Sequence, residues 1–302
     1  MATYHVLYNP YSAADQGFAQ AQEVARFLPH DTLVYENVTV ICYPDFFARI
    51  APEDRILLCG GDGTLSRFIN DTAALSHAHS VYYYACGTGN DFLRDLNLEP
   101  DNEPFSLLPY IQNLPFVEIK GKRYRFLNNV GFGIDGYCCE VGDAQKQAQP
   151  DKPVNYTAIA IKGLLFHYKP TTATVIVDGK EFTYKKAWLA PTMKGRYYGG
   201  GMNATPAQDR TDTTGKLSVM LFYGKGRLST LMAFPSIFKG EHIKHTKMVA
   251  IHEGNDIRVV FDSPRAVQID GETVLGVTEY HAYSAPKAEN ENPLSAEAIS
   301  QA

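Results

Sequence analysis

Residues 55–64 constrain the fold of this chain more than any other stretch. The apolar run Ile56-Leu57-Leu58-Cys59 stops at Gly60-Gly61-Asp62-Gly63-Thr64, and a helical spacing of apolar side chains follows at Leu65, Phe68, Ile69 and Ala73. An apolar run of that length reads as a strand buried on both faces, and the glycines as a tight strand-to-helix junction. The pattern recurs: residues 81–86 form another apolar strand, ended by Gly87-Thr88-Gly89-Asn90-Asp91-Phe92 and a predicted helix. The first strand, residues 4–8, runs into Asn9-Pro10-Tyr11-Ser12, a third loop of the same kind. Helices are expected at 15–28, 45–50 and 64–75, with a short strand at 32–35. Alternation of this sort predicts an open, mostly parallel α/β sheet whose loops share one edge.

Beyond about residue 115 the pattern turns to short strands. Hairpins are predicted at 117–130, around Gly121-Lys122, and at 173–190, around Asp178-Gly179. Further strands are expected at 216–222, 248–251, 256–261, 266–269 and 273–282, with helices at 156–168 and 228–238. The division is therefore an open α/β domain at 1–115, a β-rich, sandwich-like domain at 116–284 and a polar tail at 285–302. Two domains suit 302 residues at roughly 150 per domain.

Composition excludes several classes. The net charge of −5 provides no global positive field for nucleic acid. The most apolar stretch, 156–168, is broken by Lys162 and His167 and falls short of the ~20 residues a membrane span needs. The five cysteines form no CxxC pair, and the start lacks the pattern of a signal peptide, so a cytoplasmic chain with reduced thiols is expected.

The chemistry is expected at the glycine loops. Gly60, Gly61 and Gly63 let backbone N–H groups approach a ligand, and a helix N-terminus next to them favours phosphate. Asp62 is the unusual residue, because a carboxylate repels phosphate unless a metal or a proton-accepting role explains it. A tight turn with a helix cap is the plain alternative for Asp62, and a helix N-cap for Asn90 or Asp91. Two such loops on consecutive strands match where open α/β sheets bind nucleotides.

These residues resemble the diacylglycerol kinase catalytic family, which includes bacterial lipid kinases and sphingosine kinases. The resemblance runs from Gly60-Gly61-Asp62-Gly63-Thr64 and Gly87-Thr88-Gly89-Asn90-Asp91-Phe92 through Asn128-Asn129-Val130-Gly131-Phe132-Gly133, Tyr198-Gly199-Gly200-Gly201-Met202, Gly240-Glu241-His242 and Ile269-Asp270-Gly271-Glu272. It implies transfer of the ATP γ-phosphoryl group to a lipid hydroxyl, with Mg²⁺. It places ATP at Asn9, Ser12, Gly60, Gly61, Gly63, Thr64, Gly87, Thr88, Gly89 and Asn90. By the same resemblance Asp62 and Asp91 belong to a carboxylate–metal network, and Glu272 reaches toward the nucleotide or the attacking hydroxyl. Catalysis is thus expected at Asp62, Asp91 and Glu272, with the base left open between Asp62 and Glu272. The implied acceptor is a lipid alcohol at a membrane surface, diacylglycerol first, with peripheral membrane association and room for a homodimer. The glycine pentad alone is shared with NAD kinases, so an NAD kinase-like activity is the second enzyme reading, and a catalytically weak nucleotide or lipid sensor the third.

Three departures from the family pattern stand out. Ala13 replaces a loop glycine, Arg67 stands where a glutamate is usual, and the Asp-Asp-Gly metal segment reads Asp209-Arg210-Thr211-Asp212-Thr213-Thr214-Gly215. The metal aspartates of this segment are therefore either shifted, to Asp209 and Asp212, or absent. Elsewhere, His242 and His245 read as part of a solvated basic segment, Lys120, Lys122, Arg123 and Arg125 as a charged hairpin, and Cys138-Cys139 as packing residues.

Overall fold

The computed structural model describes residues 1–75, 78–86, 90–100, 102–149, 152 and 154–284. The expected tail at 285–302 and the loop residues Gly87, Thr88 and Gly89 lie outside the described residues. The described chain divides into two compact units, Met1–Leu114 and Pro115–Ser284.

The N-terminal unit carries β1 (Thr3–Tyr8), α1 (Ser12–Asp15), α2 (Gly17–Gln22), β2 (Thr32–Asn37), α3 (Tyr43–Arg49), β3 (Arg55–Gly60), α4 (Asp62–Thr72), β4 (Val81–Ala85), α5 (Asp91–Asp95), β5 (Phe105–Ser106) and α6 (Leu108–Ile111). The sheet order is β2-β1-β3-β4-β5, with the first four strands parallel and β5 antiparallel. Ile56 to Gly60 are all buried, as expected of a strand covered on both faces. On one face Val6, Leu57, Cys59 and Tyr84 pack with Ala21 and Val24. α4 buries Leu65, Phe68, Ile69 and Thr72, the i, i+3, i+4, i+7 stripe that fixes its inward side.

The helix expected at 15–28 is broken. Asp15 takes φ +66°, separating α1 from α2, and the chain tightens to a 3₁₀ turn at Glu23–Phe27. Gly17 explains the break: a Cβ there would collide with the Asn9 carbonyl, so the second helix starts pressed beneath the first loop.

The C-terminal unit contains β6 (Phe116–Ile119), β7 (Lys122–Arg125), β8 (Asn129–Gly133), α7 (Ile134–Ala148), α8 (Tyr156–Lys162), β9 (Thr171–Val177), β10 (Lys180–Ala187), β11 (Leu189–Met193), β12 (Tyr197–Tyr198), β13 (Met202–Asn203), β14 (Leu217–Phe222), α9 (Arg227–Ala233), β15 (Val249–Gly254), β16 (Asp256–Ile269) and β17 (Glu272–Tyr283). An antiparallel sheet runs β15-β14-β11-β8-β16-β17-β6-β7, with β9 and β10 branching from β16. β16 joins two strands that the sequence separates at Ser263-Pro264. Its first half pairs with β9 and its second with β8, through shifts of register between Val260 and Val267. That bend lets the sheet close over one core, where Phe132 stacks on Phe261 with ring centroids 4.3 Å apart and lies 5.3 Å from the Tyr280 ring. The expected strand at 123–130 is two strands, β7 at an edge and β8 in the centre. Positive φ at Lys120-Gly121, Asp178-Gly179 and Asp270-Gly271 gives three hairpin turns the primed geometry that matches strand twist.

Two features depart further from the sequence reading. The 15-residue helix α7 goes unseen in the sequence because two glycines and two vicinal cysteines interrupt its apolar stripe. Those glycines are close-packing sites: a Cβ at Gly136 would strike the Ala266 carbonyl of β16, and one at Gly142 the Tyr156 ring. His242, expected in a solvated segment, is fully buried and its Nε2 bonds the Ala204 carbonyl at 2.9 Å. Burial holds its pKa below the usual histidine value. We expect His242→Ala to cost about 2 kcal/mol or more of stability, measured by urea denaturation, with the loss coming from the cavity and the orphaned carbonyl.

Candidate active site

In the N-terminal sheet β1 leads to β2 on one side, and the chain then crosses to β3 on the other. The switch point of the sheet therefore lies between the carboxyl ends of β1 and β3, the place where open α/β sheets form a ligand crevice. The loops at those two ends are Asn9 to Ser12 and Gly61 to Thr64. The first is drawn tight by its own bonds: Asn9 Oδ1 accepts from the Tyr11 N–H at 3.0 Å, and the Ser12 hydroxyl donates to the Asn9 carbonyl at 2.8 Å.

The second loop turns into α4, with Gly61 as its extended N-cap. A Cβ at Gly60 would overlap Thr64, so glycine is required for that approach. A Cβ at Gly63 would meet nothing within 4 Å, which leaves the backbone there open to a ligand. From below, the buried Tyr83 hydroxyl donates to the Gly60 carbonyl at 2.8 Å and the Cys86 N–H to the same oxygen at 2.9 Å, joining the ends of β3 and β4.

Asp62 reaches across to the neighbouring loop. Its carboxylate accepts the N–H of Asp91 at 2.7 Å and that of Phe92 at 3.3 Å, so it caps α5 from the neighbouring loop. Asp62 and Asp91 are thereby brought together, and Asp91 is buried, with Arg94 4.0 Å from its carboxylate. One carboxylate thus ties the start of α4 to the start of α5 at the sheet edge.

The magnesium reading can be tested on this donor set. Among the described residues no three His, Cys, Asp or Glu side chains converge. An all-protein metal cage is therefore not what these residues build. They fit an ion that arrives with nucleotide phosphates and takes one or two carboxylates and water, the usual habit of Mg²⁺. Asp62 with Asp91 is such a set.

The remaining predicted residues lie in the C-terminal unit. Asp209 and Asp212 each close a small turn: Asp209 accepts from the Thr211 N–H at 2.8 Å and hydroxyl at 2.7 Å, Asp212 from those of Thr214 at 2.8 and 2.6 Å. These bonds hold both carboxyls below their usual pKa, as anions. Between them Arg210 turns inward, buried, donating to the Leu127 carbonyl and to Asn128 Oδ1. Glu272 opens β17 with its side chain exposed.

The residues that hold Glu272 in place escaped the sequence reading. Asp270 accepts the N–H groups of Leu127, Asn128 and Asn129 at 2.6, 2.8 and 3.0 Å. Gln268 accepts the Gly271 N–H at 2.8 Å, and its amide donates to the buried Asp135 at 3.4 Å. Thr273, on the other side of Glu272, donates to Asp143 of α7 at 2.7 Å. Only the conjunction of a hairpin dipeptide with the Leu127-Asn128-Asn129 segment, 141 to 143 residues away, could have signalled this.

Burial pushes the Asp135 carboxyl from 3.8 up to about 6. The native state therefore keeps its proton where the unfolded chain has lost it, so Asp135 costs stability as pH rises from about 4 to 6. We expect stability to fall by about 3 kcal/mol across that window through this group. The Asp135→Asn protein should lack this component of the slope in urea melts at several pH values. The thiols of Cys138 and Cys139 are likewise pushed up to about 12, which suits packing rather than reaction.

With this geometry in view, comparison with known proteins decides the family. Residues 3–112 match the diacylglycerol kinase catalytic domain, and residues 128–288 the YegS C-terminal NAD kinase beta sandwich-like domain. The chain belongs to the diacylglycerol kinase catalytic-domain family. It is accordingly a lipid kinase. Among curated relatives, the "Putative lipid kinase YtlR" of Bacillus subtilis is 24% identical over 257 residues, 77% of this chain and 78% of that protein. A diacylglycerol kinase of Mycobacterium tuberculosis is 28% identical over 197 residues, 63% of this chain and 62% of that protein. In fold, a Bacillus anthracis structure described as a "putative diacylglycerol kinase" superposes with TM-score 0.64 at 18% identity, covering 94% of each chain. That likeness supports the mixed α/β unit followed by an antiparallel, sandwich-like one. No described helix of this lipid kinase is long and apolar enough to cross a membrane.

Proposed function

We propose that this lipid kinase transfers the γ-phosphoryl group of ATP to the hydroxyl of a lipid alcohol, with diacylglycerol as acceptor and phosphatidic acid as product. The observation that carries the reading is Asp62, held by the α5 amides at the switch point beside an unobstructed glycine backbone. Open glycine amides and the α4 N-terminus suit phosphate oxygens. Magnesium bound with the nucleotide supplies charge neutralisation on those oxygens. In the transfer the acceptor oxygen bonds to the γ-phosphorus, the bond from that phosphorus to the bridging oxygen breaks, and ADP leaves. Asp62 and Asp91 act at the phosphate and metal, and the hydroxyl proton passes to a carboxylate, Asp62 or Glu272. Asp209 and Asp212, anionic and already turned outward, are candidate ligands for a further ion.

Diacylglycerol is favoured over other lipid alcohols by the name of the Mycobacterium relative. The match of the C-terminal unit to an NAD kinase-like sandwich gives NAD a place as the competing acceptor. The test is an acceptor panel with ATP and Mg²⁺: diacylglycerol, a sphingoid base, phosphatidylglycerol and a polyprenol in mixed micelles, and NAD in solution. Phosphatidic acid as the major product supports the proposal. Phosphorylated NAD alone would replace it with the NAD kinase reading.

A further inference from the structure

Two segments of the C-terminal unit, 156–169 and 223–239, have a composition unlike the rest of the chain. The first comprises α8 and the π-helical turn Gly163–His167, the second α9 and the 3₁₀ turn Phe234–Lys239. Together they hold six of the thirteen large hydrophobic side chains exposed among the described residues. Phe166 is 69% exposed, Leu228 66% and Met232 70%. The two segments also carry five lysines and arginines (Lys162, Lys169, Lys225, Arg227 and Lys239) and no acid, in a chain of net charge −5.

The two segments form a single face. Their inner side chains, among them Ile159, Leu164, Leu231, Phe234 and Ile237, pack in one cluster. Arg227 of α9 donates to the Leu164 carbonyl at 2.9 Å and pins the turn against the helix. Leu228 and Met232, one helical turn apart, are exposed on α9, and Phe166 is exposed on the turn that Arg227 ties to it. α9 is thus apolar on both sides, which packing within the unit does not require.

We infer that this α8–α9 face is the surface by which the protein docks on an anionic lipid bilayer. Charge complementarity selects that occupant. The chain as a whole is repelled by an anionic surface, so contact must come through a local basic region, and these two segments carry cations and no acid of their own. Exposed Phe, Leu and Met side chains between those cations can enter the headgroup boundary while the lysines meet lipid phosphates. The inference rests on the lipid-kinase reading for its purpose, because an acceptor embedded in a bilayer has to be met there.

The experiment is sedimentation with phosphatidylcholine vesicles, with and without phosphatidylglycerol. The wild type should bind only the anionic vesicles, and salt should weaken binding. The double variant Phe166→Ser, Met232→Ser should bind at least about tenfold more weakly, since both side chains lose their transfer into the interface. Lys225→Gln with Lys239→Gln should lose about fivefold per lysine and part of the salt dependence. Phosphorylation of a short-chain, monomerically dispersed diacylglycerol should be unchanged in both. Equal binding by wild type and variants, or no binding by the wild type, overturns the inference while leaving the kinase reading intact. Vesicle binding lost in the variants of a protein that phosphorylates no lipid would leave the face standing and remove the kinase reading. A wild-type dimer that the Phe166 and Met232 changes convert to monomer, with vesicle binding unaltered, would make the face an interface between copies and also overturn it.

Discussion

Asp62→Asn is expected to lower lipid phosphorylation by at least about a thousandfold at saturating ATP. The carboxylate has one duty in the proposed reaction and another in the structure, and the substitution damages both. In the proposed reaction it holds a metal or accepts a proton as an anion, and an amide does neither at neutral pH. As an acceptor it holds the N–H groups of Asp91 and Phe92. An asparagine oxygen in the place of Oδ2 can still accept from both, but as a neutral and weaker acceptor, and its NH₂ then faces the Phe92 N–H. Charge-assisted bonds of this kind contribute about 1.5–3 kcal/mol each, so a stability loss of about 2 kcal/mol should accompany the catalytic loss. The two can be separated. Urea denaturation gives the stability term, and kcat measured where the variant is fully folded gives the chemical one. A variant that is merely less stable, with kcat within tenfold of wild type, would reduce Asp62 to a cap for α5.

The second large effect is expected at Asp270. Three backbone amides converge on its carboxylate, and its own N–H donates to the Asn129 carbonyl at 3.0 Å. This residue sits at φ +46°, a conformation that asparagine tolerates and alanine does not. Asp270→Asn keeps the turn but puts an NH₂ group among donors, so about 3 kcal/mol should be lost. Asp270→Ala should lose a further ~1 kcal/mol from the left-handed backbone. The turn also carries Glu272, and loosening it should lower kcat more than it raises the KM for ATP. Equilibrium unfolding and steady-state kinetics on the asparagine variant check both statements. Unchanged stability would mean that the three amides find other acceptors.

The sheet edge of the N-terminal unit was legible because each of its signals is local. A buried strand, three glycines and an amphipathic helix stand within twenty residues, and their repetition dictates parallel strands with loops at one end. Gly60 and Gly63 illustrate the limit of that reading. Both are glycines of the same loop, yet one is needed for the close approach of Thr64 and the other faces open space. Spacing cannot tell these apart. The partnership of Asp62 with the α5 amides was hidden for a similar reason, since a carboxylate at a helix start reads first as a cap for its own helix.

In the C-terminal unit the hairpin turn at Asp178-Gly179 was legible from dipeptide chemistry, and the strands from their alternation. What the residues did not reveal depends on contacts far apart in sequence. Asp270 meets Leu127, Gln268 meets Asp135, and α7 lies against β16 only because Gly136 lacks a side chain. His242 belongs in the same class: its basic sequence neighbours suggest solvent, while tertiary packing removes it from water altogether.

The central claim is that phosphoryl transfer to a lipid hydroxyl depends on the carboxylate of Asp62. The most direct measurement is a single-turnover reaction with γ-labelled ATP, Mg²⁺ and diacylglycerol micelles, in which label is followed into the organic and aqueous phases for wild type and Asp62→Asn. The predicted result is label in the organic phase as phosphatidic acid, with a rate at least about a thousandfold lower in the folded variant. Label that never enters the organic phase, or that enters it equally fast without the carboxylate, would contradict the account.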